Sequence, residues 1–224
     1  MGRNKQVEDK LGLGRKLKNQ SQSNSMRAAN NAVKKDLLRN WVPKGSRVLD
    51  IGCGQGGDVH KWKSVGVSEL VGVDPNPWAV REARRRSRDY HGFTFLAGDI
   101  RSAPSDKPFY VICYNFSLQY QPLELLPEVT RRLAPSGGGL FLGVVTDSTR
   151  LEFAKEQGIQ VERVDSGHIR VFIPDTPYYA NGPVTEPILE KDAFIREAER
   201  LGLELQVWEP FSMYAKFVFR YNNK

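Results

Sequence analysis

A glycine-rich turn and three acidic residues are the groups in this chain best suited to chemistry. The stretch Asp50–Gly56 reads D-I-G-C-G-Q-G and directly follows an apolar run. Glycines at this spacing let the backbone turn sharply and approach a nucleoside ligand closely. Asp74 and Asp99 follow the next two apolar runs. A carboxylate at Asp74 is suited to accept hydrogen bonds from both ribose hydroxyls, and one at Asp99 from an adenine amino group.

The glycine spacing separates two kinds of nucleotide site. A dinucleotide fingerprint requires G-x-G-x-x-G, whereas Gly52, Gly54 and Gly56 lie two residues apart behind Asp50. This spacing favours S-adenosylmethionine (SAM). The glycine motif alone is weak support, but three strand-terminal acids in the right order are strong support. We therefore predict a SAM-dependent methyltransferase, and the alternative is a Rossmann-like domain that binds another nucleotide or none.

Alternating strands and helices must position these residues. Periodicity and turn signals predict strands at 47–51, 69–73, 93–97, 109–115, 139–146, 203–209 and 213–221, and helices at 25–40, 56–65, 76–89, 121–133 and 190–201. Such alternation gives a parallel sheet with right-handed crossovers, and the short connection before the last strand forces an antiparallel pair. The predicted fold is α/β, a Rossmann-like class I SAM methyltransferase. Its mostly parallel seven-stranded sheet ends in a C-terminal antiparallel hairpin.

An insert at residues 147–187 interrupts this alternation. Residues 159–164 and 168–172 are predicted to form a hairpin, followed by a proline-rich loop. The loop carries the polar and aromatic residues Tyr178, Tyr179, Asn181 and Glu186. Because ligands of doubly wound folds bind at the carboxyl edge of the sheet, the insert is predicted to form a substrate pocket.

The positive charge is concentrated at the N-terminus. Residues 1–47 hold twelve Lys and Arg against three acids, and the rest of the chain is slightly acidic. Residues 1–24 are too polar to fold alone, so we predict a basic flexible arm ahead of a domain at 25–224. The arm either solubilises the chain or neutralises RNA phosphates. The arginine run at 81–88 is interpreted as a solvated helix face, with an RNA contact as the alternative.

Composition narrows the remaining classes. A chain of 224 residues with 40% hydrophobic residues fits one α/β domain. Cys53 and Cys113 are expected to be two reduced thiols. No apolar run is long enough to span a bilayer, and the N-terminus has no signal core, so a cytosolic, nuclear or virus-associated location is expected. His60, His91 and His168 lack ligand spacing, and no metal is expected.

Two aromatics after the fourth predicted strand indicate the substrate. Phe116 and Tyr120 are four residues apart, where methyltransferases place catalytic residues. The N-P-P-Y tetrad of many amine methyltransferases does not occur here. A core role for both rings is the alternative.

The chain from about residue 25 to 221 resembles the mRNA cap guanine-N7 methyltransferases. Its R-x-x-N-N-x-x-K helix runs from Arg27 to Lys34, and its F-S-x-x-Y loop from Phe116 to Tyr120. A late glutamate is matched by Glu186, and a tyrosine early in the last strand by Tyr214. The chain departs from the family at Gln119, where many relatives have histidine, and in its short insert, which is typical of a compact, virus-like member.

The resemblance implies a site in two halves. SAM would be bound by Lys34, Asp50, Gly52, Gly54, Asp58, Asp74, Asp99, Ile100 and Ser117. The cap guanine would be held by Asn30, Phe116, Tyr120, Glu186 and Tyr214. Of these, Glu186, Tyr214 and Phe116 would act in catalysis, with Glu186 accepting hydrogen bonds from the guanine N1–H and amino group.

The implied reaction is methyl transfer from SAM to guanine N7, which leaves S-adenosylhomocysteine. N7 has no proton to lose, so orientation and electrostatics suffice. The resemblance implies capped RNA with a GpppN end as the partner, together with other capping-enzyme subunits. It also implies a monomer that acts away from membranes. Two alternatives stay open: a SAM enzyme for a small molecule, and a non-catalytic methyltransferase-fold subunit.

Overall fold

A computed structural model of the protein describes residues 26–135, 138–173 and 179–222. The predicted basic arm at 1–24 and Tyr178 of the predicted pocket lie outside these ranges. Within them, no helix is long and apolar enough to cross a membrane.

The main sheet has seven strands, as the sequence predicts. They are β1 (Arg47–Ile51), β2 (Glu69–Asp74), β3 (Phe93–Ala97), β4 (Val111–Asn115), β5 (Leu140–Thr146), β9 (Leu203–Phe211) and β10 (Tyr214–Tyr221), in the order β3-β2-β1-β4-β5-β10-β9. The first five are parallel, and β10 runs antiparallel to both β5 and β9. The predicted fold class is confirmed.

Side chains of the central strand alternate between two cores. Leu49 and Ile51 pack into the core on one face, and Val48 packs into the core on the other. This period-2 alternation directs Asp50 to the same face as Val48, where it is 5% exposed. An acid is therefore buried at the centre of the sheet, two residues before Gly52, the first glycine of the loop.

Helices cover both faces of the sheet. Residues 26–41 form helix α1, and the later helices are α2 (Val59–Val65), α3 (Pro77–Ser87), α4 (Leu126–Arg132), α5 (Leu151–Glu156) and α6 (Lys191–Arg200). The first three share one core, and α4 and α6 share the other.

Two predicted helices begin later than the sequence suggests. The predicted helix at 56–65 begins at Val59, because Gly52, Gly54 and Gly56 all have positive φ and the turn uses more residues than predicted. The predicted helix at 121–133 contains the 3-10 turn Leu123–Leu125 and then α4, and a further 3-10 turn, Leu118–Tyr120, precedes it. Pro122 and Pro127 lie between and after these turns, and a proline lacks the N–H that a helix interior needs.

The insert forms a second, smaller sheet. The predicted hairpin is confirmed as β6 (Gln160–Arg163) and β7 (His168–Phe172), paired antiparallel. The prediction of a loop up to residue 187 is wrong, because Val184–Pro187 forms β8 and pairs with β7. Because Pro183 and Pro187 lie at its two ends, the sequence pattern did not predict this strand, although an edge strand tolerates proline. Helix α5, which the sequence reading omits, packs beneath this sheet.

Candidate functional site

The glycine loop is shaped by contact with the strand-end loop of β4. A Cβ at Gly52 would lie 2.3 Å from the Cβ of Ser117, so only glycine fits there. The Ser117 hydroxyl donates a hydrogen bond to the Ile51 carbonyl at 2.7 Å. Ser117, predicted to bind the cofactor, therefore ties the two loops together through its contacts with Ile51 and Gly52.

Asp74 holds the other side of the glycine loop. Its carboxylate accepts hydrogen bonds from the Gly54 N–H at 2.8 Å and the Asn76 N–H at 2.9 Å. A carboxylate has about four lone-pair positions, so capacity remains for two ribose hydroxyls. A Cβ at Gly54 would meet no atom within 4 Å. Open space beside a half-exposed carboxylate fits the predicted ribose position.

Lys34 and Asp58 form a buried ion pair beneath α1. The Lys34 ammonium lies 2.8 Å from Asp58 Oδ1, and Lys61 lies 2.7 Å from the same oxygen. Burial acts to raise the pKa of Asp58, but the two lysines outweigh it and hold this pKa below its ordinary value. The pair brings together a cation and an anion, the charges that complement the carboxylate and the ammonium of an amino-acid zwitterion.

Asp50 is the second buried acid of this region. Its Oδ2 accepts a hydrogen bond from the Trp62 indole N–H at 3.0 Å. Burial, and then the negative charge of Asp58, raise the pKa of Asp50 to about 7. The residue is enclosed by protein, so the structure gives it a role in supporting the loop rather than a position at an open surface.

The third predicted acid is already paired. Asp99 caps the 3-10 turn Ile100–Ser102 and accepts hydrogen bonds from the Arg101 backbone and guanidinium. Hydrogen bonding to Arg101 is the main cause of its lowered pKa. A ligand amino group that binds at Asp99 must share the carboxylate with Arg101. The Ile100 side chain is fully buried in the core, so only its backbone is suited to touch a ligand.

Phe116 joins the predicted cofactor half to the predicted substrate half. It has a φ of +61°, a conformation that is strained for a non-glycine residue, and its N–H donates to Val144 at 2.7 Å. Its ring lies 5.8 Å from the Lys34 ammonium and meets the Tyr214 ring edge-on at 4.8 Å between centroids. Strain of this kind persists where the surroundings enforce it, and it commonly marks functional loops.

The insert brings Glu186 to the same edge. Glu186 lies in β8, opposite Ile169 of β7, and accepts a hydrogen bond from the Tyr179 hydroxyl at 3.4 Å. Strand β8 contacts the 3-10 turn Leu118–Tyr120. Tyr120 on that turn is 47% exposed, so its ring lies at the surface and not in the core.

Helix α1 contributes residues to both predicted halves of the site. Met26, Asn30 and Lys34 are four residues apart and therefore share one helix face. Met26 packs against the core of the insert, as Tyr214 does, and Lys34 reaches Asp58. Asn30 is half-buried between them, on the face that spans the two predicted halves. Arg27 and Asn31, the other two residues of the R-x-x-N-N-x-x-K motif, are exposed and do not lie on this face.

The sequence analysis gives no site role to two polar side chains at this edge, Asn115 and Gln119. Asn115, the last residue of β4, donates to Asp58 at 3.4 Å, and its Oδ1 is buried without a partner in the described structure. The Gln119 Oε1 is also buried and unpaired there. The signal for Asn115 was its place at a strand terminus, the same signal that identified Asp74.

A separate cavity of about 480 Å³ lies on the outer side of the insert. Lys155, Arg170 and Phe172 are among its lining residues. Because it contains none of the strand-end acids or paired aromatics, the chemistry favours the carboxyl edge of the main sheet.

A family model supports the first half of this site. The model of the mRNA (guanine-N(7))-methyltransferase domain matches residues 5–95. The matched segment includes Asn30, Lys34, the glycine loop and Asp74, and it also covers most of the basic arm. Phe116, Glu186 and Tyr214 lie beyond it.

A curated relative extends the similarity along the chain. The mRNA cap guanine-N(7) methyltransferase of Schizosaccharomyces pombe is 26% identical over 234 aligned positions, which cover 89% of this chain and 65% of the yeast protein. The chain thus spans less than two thirds of that relative. The resemblance predicted from the sequence is confirmed by the family model and by this relative.

Solved structures share the fold. The PH0226 protein of Pyrococcus horikoshii OT3 matches with a TM-score of 0.68 and 22% identity, over 88% of this chain and 91% of its own. An S-adenosylmethionine-dependent methyltransferase of Mesorhizobium loti matches with a TM-score of 0.62 and 20% identity, over 83% and 96%. At this identity the likeness shows the methyltransferase fold.

Proposed function

We propose that this chain is a SAM-dependent methyltransferase that modifies N7 of the guanosine cap on RNA. The observation that carries the proposal is the junction at Phe116. One ring contacts both Lys34, next to the expected amino-acid end of SAM, and Tyr214, in the expected guanine pocket. The similarity to cap methyltransferases supports the same function.

The residues of the first half fit SAM by their chemistry. Asp74 retains acceptor capacity for a ribose, the space at Gly54 is open, and Lys34 with Asp58 complements an amino-acid zwitterion. When bound, SAM supplies an electrophilic methyl group on a sulfonium. The protein's task in this half is to fix that ligand without blocking the methyl group.

The second half fits a purine that becomes positively charged. Phe116 and Tyr214 offer aromatic surfaces for stacking, and the Glu186 carboxylate is suited to accept from the guanine N1–H and amino group. This contact would orient N7 away from Glu186 and toward the cofactor half. Carboxylate and aromatic faces both stabilise positive charge as it develops on the ring.

No general base is required for this transfer. Guanine N7 attacks through its lone pair and carries no proton, so proximity and orientation supply much of the acceleration, on the order of 7–11 kcal/mol. The strained backbone at Phe116 holds in place the ring that lies between the two half-sites and contacts both.

We further propose, as a separate claim, that residues 1–24 form a basic arm that binds RNA phosphates.

Two assays test the proposal. Calorimetric titration with SAM and S-adenosylhomocysteine should show binding of both, and transfer of labelled methyl should occur to GpppA-capped RNA. The matched control is the same RNA with a 5′ triphosphate, which should stay unlabelled. Binding without transfer to any substrate would favour a non-catalytic subunit. Transfer to a panel of small metabolites instead of capped RNA would favour a small-molecule enzyme.

A further inference from the structure

Helix α3 carries an exposed tryptophan in line with arginines. Trp78 is 54% exposed, one of three large hydrophobic side chains exposed in the described structure. Arg81, Arg85 and Arg88 follow at spacings of three, four and three residues, which places all four on one side of the helix. The opposite side is buried in the sheet through Val80 and other small residues.

The arginines of this helix are not equivalent. Arg84 donates twice to the Phe95 carbonyl and has a structural role. Arg81 has no hydrogen-bond or ion-pair partner among the described residues, and Arg88 contacts only its exposed neighbour Asp89, at 3.6 Å. Arg85 pairs with Glu82 at 66% exposure, and a pair this exposed is weak. The interpretation of the arginine run as a solvated helix face holds for these side chains, but it does not explain why Trp78 is exposed.

The position of α3 relates this face to the site. The helix begins three residues after Asp74, and Arg86 contacts Gln55 of the glycine loop at 3.4 Å. Only β1 separates β2 from β4, so the start of α3 and the loop at Phe116 are about two strand spacings apart, on the order of 10 Å. Because the side chains from Trp78 to Arg88 extend about 15 Å further along the helix, a longer RNA can follow them, whereas a cap dinucleotide held at Phe116 reaches at most the start of α3.

We infer that Trp78, Arg81, Arg85 and Arg88, named here the α3 stripe, bind the single-stranded RNA that follows the cap. A flat indole stacks on any base, and arginines contact the phosphates on either side. The net positive charge of the stripe favours RNA over an acidic or neutral surface. This inference rests on the proposed function for its substrate, but RNA binding by the stripe is measurable without catalysis.

The chain offers a matched control for the arginines. Helix α6 repeats the pattern of α3: Arg196, Glu197 and Arg200 have the spacing of Arg81, Glu82 and Arg85. Arg200 pairs with Glu197 at 2.6 Å and is 64% exposed, close to the values for Arg85. Helix α6 packs on the opposite face of the sheet. Removing two arginines from either helix therefore changes net charge equally, although Glu82 keeps its pair with Arg86 at 2.8 Å while Glu197 loses its pair with Arg200.

The test measures affinity for a 20-nucleotide unstructured GpppA-capped RNA against salt concentration. Arg81→Gln/Arg85→Gln should lower the slope of log affinity against log salt by about 1.4, since each single-strand phosphate contact contributes about 0.7. Arg196→Gln/Arg200→Gln should leave the slope unchanged. Trp78→Ala should weaken binding about five-fold or more, and Trp78→Phe should restore most of it.

Activity separates this inference from the proposed function. All four variants should keep wild-type kcat/KM on the dinucleotide GpppA, and the α3 variants should lose activity only on the longer RNA. If wild-type protein methylates neither substrate, the proposed function fails, and the affinity series still tests the stripe. Equal effects of the α3 and α6 doubles, or unchanged RNA affinity in the α3 variants, would contradict the inference. The second result would be expected of a stripe that binds a protein.

Discussion

The proposed cofactor half and the proposed substrate half of the site are built in different ways. The first uses strand ends close together in sequence, and its key groups are fixed by hydrogen bonds and ion pairs, as at Asp74 and Asp58. The second gathers Asn30, Phe116, Glu186 and Tyr214 from α1, two sheets and a loop, and ring packing is prominent among its contacts. The two halves should therefore fail separately, and substitutions can show whether they do.

The largest effect is expected within the glycine loop. Gly52→Ala should lower the free energy of unfolding by about 2–4 kcal/mol, because the new Cβ clashes with Ser117 and the residue keeps a left-handed φ. Gly54→Ala meets no atom and should cost only about 1–2 kcal/mol. Urea denaturation of both variants measures these costs.

The same two variants also test where the cofactor binds. If SAM occupies the open space at Gly54, Gly54→Ala should weaken SAM binding more than it weakens the fold. Unchanged SAM affinity in a folded Gly54→Ala protein would place the cofactor elsewhere.

Glu186→Gln should affect the substrate half alone. Gln keeps an acceptor for Tyr179 but lacks the charge that pairs with guanine donors, so kcat/KM on GpppA-RNA should fall ten- to a hundred-fold, about 1.5–3 kcal/mol. SAM affinity and the thermal midpoint should not change. Glu162→Gln, on β6 at the opposite edge of the same small sheet, is the control and should be silent.

Tyr214 tests whether an aromatic surface is needed there. Tyr214→Ala should reduce turnover by a factor equivalent to about 1–3 kcal/mol of stacking, and Tyr214→Phe should restore it. A Glu186→Gln enzyme with wild-type turnover, or a Tyr214→Ala enzyme that only melts earlier, would show that these residues are structural.

Asp74→Ala should affect the cofactor half alone. SAM affinity should fall by about 1–3 kcal/mol, because the ribose loses a charged acceptor and the Gly54 N–H loses its partner. Since the hydrogen bonds that Asp74 accepts from the Gly54 and Asn76 N–H groups lie in loops at the sheet edge, the thermal midpoint should fall by only a few degrees. Wild-type SAM affinity, measured by titration calorimetry, would contradict the assignment.

Asp50 links the cofactor half to pH. The folded protein keeps the Asp50 proton up to about pH 7, whereas the unfolded chain releases it near pH 4. Wild-type stability should therefore fall as pH rises between these values, and the loss is complete above pH 7. Asp50→Asn removes this titration and should be about 1–2 kcal/mol more stable at pH 8, since the unpaired amide N–H offsets part of the gain.

Thermal melts of ligand-free protein from pH 4 to pH 8 check this expectation. The advantage of Asp50→Asn over wild type should fall toward acid pH and reverse near pH 4, where wild type carries a neutral Asp50 and the variant still carries the unpaired amide. A constant difference would show that Asp50 is ionised throughout.

The smallest effect is expected from the arm. A chain that begins near Ser23 should bind capped RNA less tightly and with a flatter salt dependence, and its activity on a cap dinucleotide should barely change. An unchanged salt slope would leave the arm with a solubilising role.

The contrast between the halves also explains what the sequence could predict. Strand-end acids and glycines carry local signals, so the position of Asp74 at a strand end and the seven strands of the main sheet were predictable from patterns of a few residues. Strand β8 was not, because prolines flank it and its pairing with β7 is a tertiary contact. The pairing of Asp99 with Arg101, the enclosure of Asp50 by Trp62 and the meeting of Phe116 with Tyr214 likewise depend on side chains placed by the fold.

The position of the transferred methyl group tests the central claim most directly. The protein should be incubated with GpppA-RNA and labelled SAM, and the product digested to release the cap. The account predicts label in m7GpppA and none in the rest of the RNA. Label on a ribose or an internal base, or an unlabelled cap under conditions where SAM binds, would contradict it.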